Sequence, residues 1–172
     1  MDNIDIIVNE FKEKNYDHFD EFYHETKKLV YYMITSTIKD GEIANDVMQD
    51  VYVKFLNNID KVSSKQNPVA YLAQIARNTA INEYHKNKRM TYDDEYISNL
   101  KDENSHVNHK VDLGVIDYLK NDDREIVYLH IVADLKFREI ANILDIPLGT
   151  VLWKYNKSIK YLRKKVGEID EK

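Results

Sequence analysis

No cysteine occurs anywhere in the 172 residues. Disulfide staples and thiolate metal sites are therefore excluded. Proline and glycine are almost absent, with two and four copies. So few breakers leave room for long helices. No apolar run approaches the roughly 18 residues that a membrane span requires. The opening residues, MDNIDIIVNEFKEKNYD, lack the basic start and apolar centre of a secretory signal, so a soluble, cytoplasmic protein is expected. A cationic excess is also missing: 30 Asp and Glu outweigh 25 Lys and Arg, for a net charge of −5. Averaged over the chain, that balance disfavours a nucleic-acid binder, because phosphate contacts need cations. Long strand-like alternation is absent too, which makes all-α the expected fold class.

What is present is helical periodicity. Residues 19–39 place Phe19, Phe22, Tyr23, Leu29, Tyr32, Met33 and Thr37 near one face. Asp40 then has the chemistry of an N-cap for a second helix over 42–58. There Ile43, Val47, Val51 and Phe55 recur every four residues, with Ala44, Met48 and Leu56 filling the stripe. Residues 59–68 read as a polar loop ending in Pro68. A third helix over 69–88 turns Leu72, Ile75, Ala76, Thr79, Ala80 and Tyr84 inward and ends in the basic run HKNKR. Residues 91–111 are acidic and weakly periodic, as a linker is. From residue 112 four more helical stretches follow, with Pro147 suited to a helix start and Gly167 to a stop. Two small helical domains are expected, over 1–90 and 112–172, joined by the acidic linker. Neither is large enough to build a deep enzymatic cleft easily.

The second domain carries the plainer motif. Ile140, Ala141 and Leu144 share a face of one short helix, Ile146 sits in a turn, and Val151, Tyr155, Ile159 and Leu162 line the next helix. That is the packing pattern of a helix-turn-helix. Between 148 and 166 the charged residues are Lys154, Lys157, Lys160, Arg163, Lys164 and Lys165, with no acid among them. Such a run favours a polyanion partner, although a cationic C-terminal end also suits the helix dipole. Outside the core stripe stand Thr150, Leu152, Trp153, Lys154, Asn156, Lys157 and Lys160. Lysines meet phosphates, Asn156 can pair with an adenine edge, and Leu152 and Trp153 can touch thymine methyls. Trp153, the only tryptophan, can equally pack against its own domain or against a partner protein.

The runs DVMQDVYVKFLNNIDKV, NPVAYLAQIARNTAINEYHKNKR and DDREIVYLHIVADLKFREIANILDIPLGTVLWKYNKSIKYLRKKV together resemble the extracytoplasmic-function (ECF) class of bacterial RNA polymerase sigma factors. The resemblance spans nearly the whole chain, in the family order of region 2, linker and region 4. It implies that the first domain binds a coiled coil of the polymerase β′ subunit and opens the promoter −10 element. The second would read the −35 element and touch the β flap. By position, Asp46, Gln49, Asp50 and Tyr52 fall on the polymerase-binding helix, and the bottom-up pattern agrees for three of them. Asp46, Gln49 and Asp50 lie at i, i+3, i+4, opposite the apolar stripe. Opening a promoter needs a base pulled from the stack, with cations and amides along the single strand. Ser63, Ser64 and Lys65 stand where the family captures that base. Arg77, Asn78, Asn82, His85, Lys86, Lys88 and Arg89 stand where it holds the strand. Tyr71 replaces a tryptophan of the family pattern and is expected in the core.

The recognition helix departs from the family, reading GTVLWKYNKS where GTVKSRLHRA is common. Architecture therefore transfers from relatives, but promoter sequence does not. The resemblance also implies an anti-sigma protein as partner, and an isolated chain that binds promoter DNA poorly. No cofactor and no catalysis are expected, since neither a nucleophile motif nor a glycine-rich phosphate loop is present. His106 and His109 are read as solvated linker residues rather than metal ligands. The competing reading is a helix-turn-helix regulator that never joins polymerase. Such a protein has no use for the Asp46–Gln49–Asp50 face or for the IARN helix.

Overall fold

The computed structural model of the protein describes residues 2–63, 66–94 and 114–170. All regular structure among them is helical. The chain divides into two compact units, Met1–His109 and Lys110–Lys172.

In the first unit, α1 (Asp2–Lys12), α2 (Phe19–Thr35), α3 (Gly41–Asn57) and α4 (Pro68–Asp94) follow one another, with a 3-10 turn at Ile59–Lys61. Helices α2, α3 and α4 pack on one another pairwise, and α1 lies against α2, α4 and the 3-10 turn. The spacing Ile7, Val8, Phe11 makes α1 amphipathic, and all three side chains are buried. Asp40 caps α3 as expected: its Oδ1 accepts from the N–H groups of Glu42 at 2.8 Å and Ile43 at 3.1 Å. Asn67 does the same for α4, accepting from Val69 at 2.9 Å and Ala70 at 3.4 Å. Pro68 follows at the first helical position, where its missing N–H costs nothing.

Aromatic packing holds the helices together. Phe22 of α2 meets Phe11 of α1 edge-on at 5.4 Å and stacks on Phe55 of α3 at 5.2 Å. Tyr52 of α3 contacts Phe19, Phe22 and Tyr23 at 5.9, 6.3 and 5.1 Å. Its buried hydroxyl lies 2.9 Å from Thr26 Oγ1, which donates in turn to the Phe22 carbonyl at 2.7 Å. Burial drives the Tyr52 phenol well above its ordinary pKa, so it stays a neutral donor. Tyr71 is half-buried beside Phe55 at 6.1 Å, a packing role. Tyr84, in contrast, is 46% exposed and does not join the inner face of α4. α4 also continues past the expected end near residue 88 to Asp94.

In the second unit a 3-10 turn at Gly114–Tyr118 leads to α5 (Asn121–Val127), then α6 (Phe137–Leu144) and α7 (Leu148–Asp170). Helix α5 ends in a π-helical turn, Tyr128–Val132, closed by the Ala133 N–H on the Tyr128 carbonyl at 3.1 Å. Asp134, in the left-handed region at φ 53°, reverses the chain toward α6. Ile116, Leu119, Val127 and Leu162 form one core, flanked by Tyr155 and Ile159. Arg124 braces its edge by donating to the carbonyls of Asp117 and Leu119, both at 2.9 Å. Gly167 does not end α7. The helix runs through it to Asp170, a cost of about 1 kcal/mol that helix-favouring lysines and glutamate around it offset.

Two outcomes check this packing in the full chain. Asp40→Ala should lower the urea stability of the first unit by about 1 kcal/mol, whereas Asp40→Asn should stay within a few tenths. Tyr52→Phe keeps the ring and loses one buried hydrogen bond, an expected cost of about 1 kcal/mol. Denaturation followed by circular dichroism measures both.

Candidate nucleic-acid and polymerase interface

Helix α3 presents two opposite surfaces. Val47, Val51 and Phe55 are buried, while Asp46, Gln49 and Asp50 are exposed together at i, i+3, i+4. Tyr52 does not belong to that outer face and is only 5% exposed. The helix advances about 100° per residue, which groups Tyr52 with Met48 and Phe55, toward α2. The expected four-residue face is therefore a three-residue face, and Tyr52 is the strut behind it. Lys54 Nζ reaches Thr79 Oγ1 at 3.4 Å and ties α3 to α4.

The segment before α4 is anchored at both described edges. Lys12 Nζ donates to the Val62 carbonyl at 2.6 Å, and the Gln66 N–H donates to the Ser63 carbonyl at 3.0 Å. Ser63 is exposed. Ser64 and Lys65 lie outside the described residues, as do His106 and His109.

On α4, Asn78, Asn82, His85 and Arg89 follow at i, i+4, i+7, i+11, so they form one exposed stripe. Lys86 and Lys88 flank it on either side, also exposed. Lys86 shares its charge with Glu83 at 3.4 Å. Arg77 is half-buried at the margin of the stripe. The stripe offers amides and cations side by side, a chemistry suited to bases and phosphates of a single strand.

The helix-turn-helix is formed by α6, the turn Asp145–Pro147 and α7. Asp145 adopts the left-handed conformation at φ 54°, and the Ile146 N–H returns to the Ala141 carbonyl at 3.1 Å. This closes α6 with a tight C-cap. At its start, the Lys136 N–H donates to the Glu139 carboxylate at 2.7 Å. Three rings pack together where the π-helical turn, α6 and α7 meet. His130 lies 4.1 Å from Phe137 and 4.9 Å from Tyr155, and Phe137 lies 4.9 Å from Tyr155. His130 Nδ1 donates to the Leu135 carbonyl at 2.8 Å, which fixes the ring. Tyr128, buried at the start of the π-helical turn, has a phenol pushed up to about 12 by burial.

Of the seven expected contact residues on α7, Leu152, Trp153, Asn156, Lys157 and Lys160 are exposed. Thr150 is half-buried. Lys154 differs most from expectation: its Nζ lies 3.3 Å from Asp122 and 3.5 Å from Asp123, at the start of α5. It is a bridge within the unit, not an unmatched cation. Those acids also sit in the first turn of α5, where the helix dipole favours them. Trp153 is 61% exposed, which removes the reading in which it packs against its own domain. Lys157 Nζ sits 5.0 Å from its ring centroid.

Comparison with known proteins follows the same division. The family model for Sigma-70 region 2 matches residues 22–90, from α2 through most of α4. The ECF RNA polymerase sigma factor SigM of Bacillus subtilis is 27% identical over 154 residues, covering 83% of this chain and 93% of its own. SigX of the same organism is 23% identical, covering 89% of this chain and 84% of its own. The sigma factor RpoE of Bartonella quintana, solved with the anti-sigma factor NepR, has a TM-score of 0.61 at 19% identity, covering 87% of this chain and 96% of its own. CnrH, solved with the cytosolic domain of CnrY, has a TM-score of 0.60 at 15% identity, covering 95% and 97%. The last two likenesses speak for the fold, and the first three are likenesses of sequence. The chain thus carries a match to Sigma-70 region 2 and is similar along most of its length to RNA polymerase sigma factors of the extracytoplasmic-function type.

Proposed function

We propose that this protein directs core RNA polymerase to promoters through two separate modules and that it works in the cytoplasm as a binding subunit, not a catalyst. The observation that carries this reading is the outer face of α3, with Asp46, Gln49 and Asp50 exposed opposite a buried stripe. It stands in the same compact unit as the polar, basic stripe of α4. The α3 face is assigned to the β′ coiled coil. The α4 stripe, with the segment around Ser63–Lys65, is assigned to recognition and melting of the −10 element. The linker, expected over 91–111, is assigned to the residues between the end of α4 at Asp94 and residue 112. The α7 helix is assigned to the −35 element and its unit to the β flap.

Charge supports a division of labour with polymerase. A net −5 chain gains little from phosphate attraction by itself, and Lys154 is already paired. Core polymerase then supplies the missing affinity, and the free protein binds promoter DNA weakly. An anti-sigma partner fits as well, since the similar RpoE is seen in complex with the anti-sigma factor NepR.

Run-off transcription with core polymerase on genomic fragments tests the assignment: specific start sites are expected, and none on omission of this chain. Asp50→Lys should weaken core binding by about tenfold or more, as a like charge placed in a charged interface does. Unchanged core binding by that variant, measured by fluorescence polarisation, would sink the α3 assignment.

A further inference from the structure

We propose that Leu152 and Trp153 of α7 read thymine methyl groups, so that the duplex element selected by this helix is built of A·T pairs where these two side chains meet it. The inference rests on the assignment of α7 to the −35 element and specifies its ligand.

In a helix-turn-helix the N-terminal half of the second helix meets the base edges. In that half of α7 the exposed side chains are Leu152, Trp153, Asn156 and Lys157. Val151 points into the core, and Thr150, Lys154 and Tyr155 are half-buried. Gly149 precedes them with open space around its Cα, so it offers the groove no functional group. Gly149, Leu152, Trp153 and Asn156 are spaced i, i+3, i+4, i+7 and therefore share one face.

The chemistry of that face is selective by what it lacks. Guanine presents two acceptors in the major groove and is read by arginine or lysine. Cytosine presents a donor and is read by a carboxylate. Residues 148–162 contain no arginine and no acid. Of the two lysines in this half, Lys154 is held by Asp122 and Asp123. Lys157 carries its ammonium 5.0 Å from the Trp153 ring centroid. What remains is an aliphatic group, a large ring and one carboxamide. The first two match the 5-methyl of thymine, and Asn156 matches the paired acceptor and donor of adenine. Both bases of an A·T pair thus find a partner of matching chemistry on this face, whereas the arginine and carboxylate that best match a G·C pair are absent from it.

Exposure favours the same use. Trp153 is 61% and Leu152 37% exposed. This apolar surface stands among Asn156, Lys157 and Lys160, with no acid on the helix before Glu168. Groove methyls give the apolar atoms a dry contact while flanking phosphates meet the lysines. The Lys157 contact also restricts the ring before DNA arrives.

The test uses holoenzyme on a promoter mapped by run-off transcription. Each thymine of the −35 element is replaced in turn by deoxyuridine, which removes only the methyl group. Wild-type holoenzyme should lose affinity at one or two positions, about fourfold per methyl removed, the factor for withdrawing one buried CH2-sized group. Trp153→Ala and Leu152→Ala, separately, should bind the thymine and deoxyuridine promoters equally at the position each one reads. Trp153→Phe should keep part of the discrimination, which a purely structural role would not produce. Specific starts with deoxyuridine tolerated at every position would overturn the methyl readout and leave the sigma assignment standing. So would a G·C pair required at those positions, or methyl discrimination that survives both alanine variants. Absence of any specific start on any fragment would instead overturn the sigma assignment, and this inference with it.

Discussion

The Tyr52 ring, wedged between α2 and α3 with its hydroxyl bound to Thr26, sets the orientation of the polar outer face of α3. A helix has one rotation about its axis, and burying an aromatic side chain fixes it. With Tyr52, Phe55 and Val51 inward, Asp46, Gln49 and Asp50 have only one direction left. The hydroxyl adds a second constraint, because a buried phenol without a partner carries a desolvation cost. Thr26 supplies that partner from α2 and thereby sets the register of the two helices. The polar face of α3 is thus a consequence of what its opposite side must bury.

The second unit solves the corresponding problem with rings from three elements. His130, Phe137 and Tyr155 meet where the π-helical turn, α6 and α7 converge. The extra residue in the π turn and the left-handed Asp134 bring His130 back over Phe137. A shorter, regular α-helical ending would aim that ring elsewhere. The ring cluster and the turn at Asp145 together hold α7, and so Leu152 and Trp153, against α6.

Much of this was legible in the sequence. The inward positions of α3 and most of those of α7 follow from spacing alone, and Asp40 is a cap by chemistry and place. The outward set on α4 is legible too, once helical spacing is applied to Asn78, Asn82, His85 and Arg89. Other features were hidden for definite reasons. Helix α1 is hard to read from sequence although Ile4, Ile7, Val8 and Phe11 have the right spacing, because the segment is short and carries Asp2, Asp5 and Glu10. Tyr52 was misplaced because a tyrosine suits either a wet face or a core with a partner, and Thr26 lies 26 residues away. Lys154 looked unmatched because no acid stands near it in sequence, while its partners lie on another helix. Periodicity sees neighbours along one helix and is blind to those across an interface.

The Lys154 bridge bears on how promoter recognition responds to ionic strength. A lysine that neutralises a DNA phosphate releases a condensed counterion, and each such release steepens the fall of affinity with salt. Lys154 stands in α7 but is neutralised by Asp122 and Asp123 of its own chain. While that bridge holds, it releases none. On the proposed assignment of α7 to promoter DNA, its contribution to affinity is then less tied to the ionic atmosphere of DNA than its row of lysines suggests, and rests more on the fit of Leu152, Trp153 and Asn156. That shifts discrimination from charge to shape, so changes in the ionic composition around the protein would alter how tightly it holds DNA more than which DNA it holds.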